Sequence, residues 1–177
     1  MARRARELTA GEWAVLALAA EGDTHGFEVA RQLDPTGEVG RIWSLPRPLV
    51  YRAIETLKRR ELLVAVGTIS SPRGPARTIV RATPAGREQL ERWLHEPARH
   101  VRDMRSLLLL KLLFLDRVGA DPARLIAAQR EALRPMQDAL ADQPGPGAGF
   151  DATLAAWRAE MVTATLRFLD RVAPGEG

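Results

Sequence analysis

Residues 47–69 read RPLVYRAIETLKRRELLVAVGTI, and their reading decides the fold. At helical spacing Val50, Ile54 and Leu57 share one face, while Arg47, Tyr51, Glu55 and Lys58 share another. The first face has a core to bury. The second has no evident partner within the chain. Pro48 belongs in the first turn of this helix, where a missing N–H is harmless. After Arg60 the period changes. ELLVAVGTI is rich in β-branched residues and reads as a strand. SSPRGPA is a polar turn with two prolines and a glycine. RTIVRA returns, with Thr78, Val80 and Ala82 on one face and Arg77, Ile79 and Arg81 on the other.

Upstream, LTAGEWAVLALAA reads as a first helix capped by Thr9, with Glu12 completing a capping box and Trp13, Leu16 and Ala20 at helical spacing. EGDTHG breaks it. HGFEVARQL reads as a short second helix with Phe27, Ala30 and Leu33 inward, and DPTGEVGRIWSLPRP as a turn-rich connector. Downstream, TPAGREQLERWL opens a fourth helix, with Thr83 as cap and Pro84 in its first position. Three helices, a basic hairpin and a fourth helix predict a winged helix-turn-helix with a two-stranded wing over residues 1–95.

Residues 96–177 read as an all-α domain. MRSLLLLKLLFLDRV is apolar nearly all round and must be covered on several sides. DPARLIAAQREALRPMQDALAD follows, with Pro135 as a predicted kink, and QPGPGAGF as a linker. In the last helix Leu154, Trp157, Met161, Thr165, Phe168 and Val172 recur every three or four residues, widened by Val162, Leu166 and Leu169. Leu154, Trp157, Met161 and Phe168 are the predicted contacts to a second copy of the chain. The fold class is thus mainly α, with an N-terminal winged helix-turn-helix and a helical dimerisation domain.

A hydrophobic fraction of 46% over 177 residues supports a real core. Cysteine is absent, which excludes disulfides and thiolate metal sites. His25, His95 and His100 stand at no metal-ligand spacing. Ser70 and Ser71 have no histidine base nearby in sequence, and GPGAGF lacks the Lys–Ser/Thr of a phosphate loop. No cofactor, metal or catalytic constellation is expected, so the chain reads as no enzyme. The apolar run from Leu107 is too short to span a bilayer and carries Lys111. With no secretory signal legible, the expectation is a soluble cytoplasmic protein.

The net charge of +4 is unevenly placed. Residues 1–95 hold fifteen basic against eleven acidic side chains, whereas residues 96–177 balance at eleven each. From Arg41 to Arg60 there are six basic residues and one acid. Localised positive charge on a folded module favours a polyanion. Double-stranded DNA is therefore the predicted partner. Arg47 and Arg52 sit near the N-terminal end of the third helix, which reaches base edges in this kind of fold. Tyr51 suits a phosphate, Lys58 the backbone or solvent, and wing residues Arg73 and Arg77 the minor groove or phosphates.

THGFEVARQL, LVYRAIETLKRRELL and RGPARTIVRATPAGREQLERWL together resemble the PadR family of bacterial transcriptional regulators, with ATPAGREQL after a basic wing as the most specific piece. VRDMRSLLLLKLLFLDRV is similar to the longer C-terminal domain of that family's virulence-activator branch. The resemblance implies a homodimeric DNA-binding repressor or activator, of which repressor is the reading taken here, joined through C-terminal helices. It also implies a possible small aromatic or drug-like effector, for which Trp93 is the candidate contact. The chain departs from the family pattern at Glu61, where glycine is common, and at Ile79–Val80, where an aromatic pair is common. The alternative is a winged-helix module that binds protein. It needs an apolar outward face on the third helix, and that face is basic.

Overall fold

Thr9 opens the chain's first helix as the sequence predicts. Its Oγ1 accepts the Glu12 N–H at 3.2 Å, and the Glu12 carboxylate accepts the Thr9 N–H at 2.8 Å. This reciprocal cap satisfies two of the donors a helix start leaves orphaned. The helix it opens, α1 (Ala10–Glu21), is buried on nearly every side, because its alanines let neighbours approach closely. The computed structural model describes residues 7–71, 74–141 and 149–173. It divides into two compact units, Met1–Trp93 and Leu94–Gly177.

In the first unit β1 (Thr24–His25) and α2 (Gly26–Gln32) follow α1, and α3 (Arg47–Arg59) carries the deciding stretch. Val50, Ala53, Ile54 and Leu57 are its buried residues, and α3 packs on α1 and α2. Truncating Leu57, which is fully buried, belongs to the class of core changes that cost about 2–5 kcal/mol. β2 (Leu63–Ser71) and β3 (Gly74–Ala82) form the hairpin. They pair antiparallel, Leu63 opposite Ala82 and Thr68 opposite Thr78, with an irregularity between Ala65 and Gly67. The sheet has a third strand the sequence did not disclose. β1 pairs with β3 through Thr24 opposite Val80 and His25 opposite Ile79, so β3 is central in the order β1-β3-β2. Two residues are too few for a period to be seen.

The position after α3 is the departure noted above. Glu61 adopts φ 58°, the left-handed region that glycine fills without strain. Glu61 N–H donates to the Lys58 carbonyl and Leu62 N–H to the Leu57 carbonyl, which closes the helix end in a Schellman motif. The Thr83 hydroxyl donates to the Glu61 carbonyl at 2.7 Å and accepts the Gly86 N–H at 3.0 Å. Gly86, in the TPAG piece, is held for space: a Cβ there would lie 2.2 Å from the Leu62 carbonyl oxygen. α4 (Pro84–His95) starts at this junction. Trp93 is 6% exposed, and its ring stacks on Trp13 with centroids 4.8 Å apart.

The second unit opens with a 3-10 turn (Val101–Asp103) and a π-helical turn (Met104–Leu108), which run into α5 (Leu109–Arg117). The expected single helix over this stretch is thus helical throughout but changes its hydrogen-bond pitch. α6 (Ala123–Ala141) contains Pro135 without ending there. α7 (Phe150–Val172) packs on α6, with an Arg130–Asp170 ion pair at 2.7 Å between them. Among the described residues of this unit three polar side chains are buried, Lys111, Gln129 and Thr165. The Gln129 amide brackets Ala98, accepting its N–H at 2.7 Å and donating to its carbonyl at 3.1 Å. Lys111, 2% exposed, donates Nζ to the Glu96 carbonyl. Burial pushes its ammonium down to about 8, against the pull of Glu96.

Candidate nucleic-acid interface

The exposed face of α3 carries Arg47, Tyr51, Arg52, Glu55 and Arg59. α3 presents them because Val50, Ile54 and Leu57 lock the opposite face into the core. Pro48 stands in the first turn, as expected, and no acid lies there. Tyr51 is 42% exposed. Its ring lies against Gly26, where an added Cβ would come within 2.5 Å of it, so the start of α2 sets where the phenol stands. Arg47, Tyr51, Lys58 and Arg77 together line a cleft of 420 Å³ between α3, β3 and the start of α2. Arg52 is exposed on α3 outside that lining. Arg73 lies outside the described residues.

The cations of this unit differ in what occupies them. Arg81 makes a two-armed ion pair with Asp23, one arm at 2.6 Å. That contact holds the Asp23 carboxyl below the usual carboxylate range, chiefly through the hydrogen bond from Arg81. It ties β3 to the loop before β1. Lys58 pairs with Glu55 at 3.0 Å on its own helix, and Arg59 donates to the Thr56 hydroxyl. Such exposed pairs hold weakly. Among the described residues, Arg47, Arg52 and Arg77 face no carboxylate within ion-pair distance. Arg47 and Arg77 instead lie over aromatic rings. Arg47 is 5.2 Å from the Phe27 centroid and 5.9 Å from that of Tyr51, and Arg77 is 4.9 Å from Phe27.

Phe27 corrects the sequence reading. Expected inward with Ala30 and Leu33, it is 42% exposed; Leu33 is buried as expected, and Val29 takes the inward place on α2 instead. A seven-residue helix has too few turns for a period of 3.6 to separate two candidate faces. The alternation on β3 holds at Val80 and Ala82, both buried, but Thr78 is exposed.

On α7 the predicted stripe divides. Val162, Thr165 and Leu169 are buried in their own unit. Thr165, read in one row with Trp157 and Met161, belongs to this inward face, its hydroxyl donating to the Met161 carbonyl at 2.7 Å. Trp157 is 51% exposed and Phe150 more so, while Leu154, Met161 and Phe168 are half-buried. Among the described residues there is no cluster of metal-binding side chains, and no helix is long and apolar enough to cross a membrane.

No curated protein matches the chain. Among solved structures, it is similar to Bacillus subtilis PadR in complex with operator DNA, at 17% identity and a TM-score of 0.47 over 92% of this chain and 97% of that one. It is also similar to a PadR-like transcription factor from Bacteroides fragilis, at 20% identity and a TM-score of 0.39 over 46% of this chain and 73% of that one. A PadR-like transcriptional regulator from Bacillus cereus shows 14% identity and a TM-score of 0.40 over 91% and 94%. The decisive match is to a family: residues 15–92, from within α1 almost to the end of α4, fit the Transcriptional regulator PadR-like family, and the chain therefore carries that family's domain.

Proposed function

We propose that the chain is a homodimeric, sequence-specific DNA-binding regulator that represses transcription by occupying an operator. One observation carries this reading. Arg47, Arg52 and Arg77 lie exposed around α3 and the wing with no carboxylate partner among the described residues, in a domain of a regulator family. Cations left available on one face attract a polyanion and release its counterions on binding. In this role α3 enters the major groove. Arg47 and Arg52 address base edges, at roughly 1–3 kcal/mol of discrimination for a good bidentate pair. Tyr51 and Lys58 meet phosphates, and Arg77, with Arg73, serves the wing.

The second copy joins through Leu154, Trp157, Met161 and Phe168 of α7. A two-fold operator needs two recognition helices about 34 Å apart, which one copy does not supply. An exposed Trp157 beside half-buried Leu154, Met161 and Phe168 at heptad-like spacing supports helix-to-helix pairing. The division of labour proposed is residues 1–95 for DNA and 96–177 for dimerisation, in the cytoplasm where the operator is. A small aromatic effector at Trp93 would have to open the stack with Trp13, and saturable quenching of tryptophan fluorescence would report it. The rival reading, a winged-helix module for protein, is disfavoured by the cationic outward face of α3.

The test is fluorescence anisotropy with a duplex from the chain's own promoter region. Saturable binding is expected, with affinity falling steeply as salt rises. Arg47→Ala with Tyr51→Phe is expected to weaken binding about 10- to 100-fold and, since only Arg47 carries a charge, to flatten the salt slope by at most about one. Binding no tighter than to an unrelated duplex, with no salt dependence, would reject the function.

A further inference from the structure

We propose that Phe27 is a positioning residue of the DNA-binding face, a ring that holds Arg47 of α3 and Arg77 of the wing ready for contact. The proposal rests on the function above and deepens it. A phenylalanine 42% exposed is no core residue, and its surroundings say what the ring does there. Two guanidinium carbons lie 5.2 and 4.9 Å from its centroid, inside the roughly 6 Å range in which the quadrupole of an aromatic ring attracts a cation. The two arginines come from different elements, the first turn of α3 and the middle of β3. The ring therefore joins recognition helix to wing without neutralising either charge, which a carboxylate in the same place would do. Asp23 shows the contrast three residues before α2, because its pairing occupies Arg81.

A long arginine side chain loses rotamer freedom when it grips a phosphate or a base. A ring that already restricts the guanidinium removes part of that loss before DNA arrives. The two arginines depend on it unequally. Arg47 also lies 5.9 Å from the Tyr51 ring and keeps a second platform when Phe27 is removed. Arg77 has Phe27 alone among the rings of the described residues.

Phe27→Leu keeps an apolar side chain and removes the ring, and Phe27→Tyr restores it. Two measurements decide. In the free full-length protein, the Nε–Hε resonances of Arg77 and Arg47 are expected to lie upfield from ring current. They should return toward random-coil values in Phe27→Leu, Arg77 more completely, and stay upfield in Phe27→Tyr. This readout involves no DNA, so a chain that failed to bind its promoter would overturn the function and leave the positioning role standing. On promoter DNA, Phe27→Leu is expected to lower affinity roughly tenfold. Phe27→Tyr should restore it, and Arg77→Ala should cost little further in the Phe27→Leu background. Unmoved arginine resonances would overturn the proposal. So would affinity losses that simply add, which would mean that Phe27 touches DNA itself. A thermal unfolding curve of Phe27→Leu that matches wild type confirms that the comparison is between folded proteins.

Discussion

The chain has only two lysines, and each unit holds one in the opposite way. Lys58 lies on the surface of α3, its ammonium against Glu55. Lys111 is buried on α5, its ammonium against the Glu96 carbonyl. Two of the helices differ as well. α3 keeps Val50, Ile54 and Leu57 inside and shows cations, while α7 leaves Trp157 and Phe150 in solvent. A solvated guanidinium costs nothing to expose and can wait for a transient, salt-sensitive ligand. An exposed tryptophan gains by leaving water, so it favours a lasting partner. The cationic face of α3 and the exposed tryptophan of α7 thus fit the two associations proposed above.

The largest effect should come from breaking the second half of that contrast. Trp157→Glu places a charge where an aromatic anchor is proposed. The dimer dissociation constant is expected to rise by at least about 30-fold in sedimentation equilibrium, the scale of a lost hot spot. Salt should hardly alter this equilibrium, whereas it should dominate the one with DNA. A dimer of unchanged strength would assign the α7 stripe some other role.

Next comes the buried lysine. Its folded-state value of about 8 lies below the ordinary 10.5, so between those pH values the unfolded chain binds more protons than the folded one. Stability should therefore climb as pH rises from about 8 to 10.5 and carry the full penalty below 8. Urea melts across that range should show the climb in wild type and lose it in Lys111→Met. The same slope in the variant would assign the climb to another group.

The smallest effect sharpens a likeness between the units. α3 and α5 end in the same turn, one with Glu61 at φ 58° and the other with Gly119 at φ 65°. Gly119 N–H donates to the Asp116 carbonyl and Ala120 N–H to the Leu115 carbonyl, repeating the bonds at Glu61 and Leu62. Glu61→Gly should stabilise the protein by about 1 kcal/mol, and Gly119→Ala should destabilise it by about as much. Denaturation midpoints that move together in one direction would refute the equivalence.

Much of this was legible in sequence because it depends on neighbours along the chain. The cap at Thr9, the buried row Val50–Ile54–Leu57, the hairpin and the cationic side of α3 follow from period, turn chemistry and charge, which are local properties. Tertiary structure alone decided the rest. It paired β1 with β3, turned Phe27 outward beneath two arginines, gave Arg81 to Asp23, and sank Lys111 onto a carbonyl fifteen residues away. It also divided the apolar residues of α7 between an inward face at Val162, Thr165 and Leu169 and an outward one at Trp157. Each of these is a choice between partners distant in sequence. A helical or strand period says which residues share a side, but only packing says which side meets the core and which cation meets an acid.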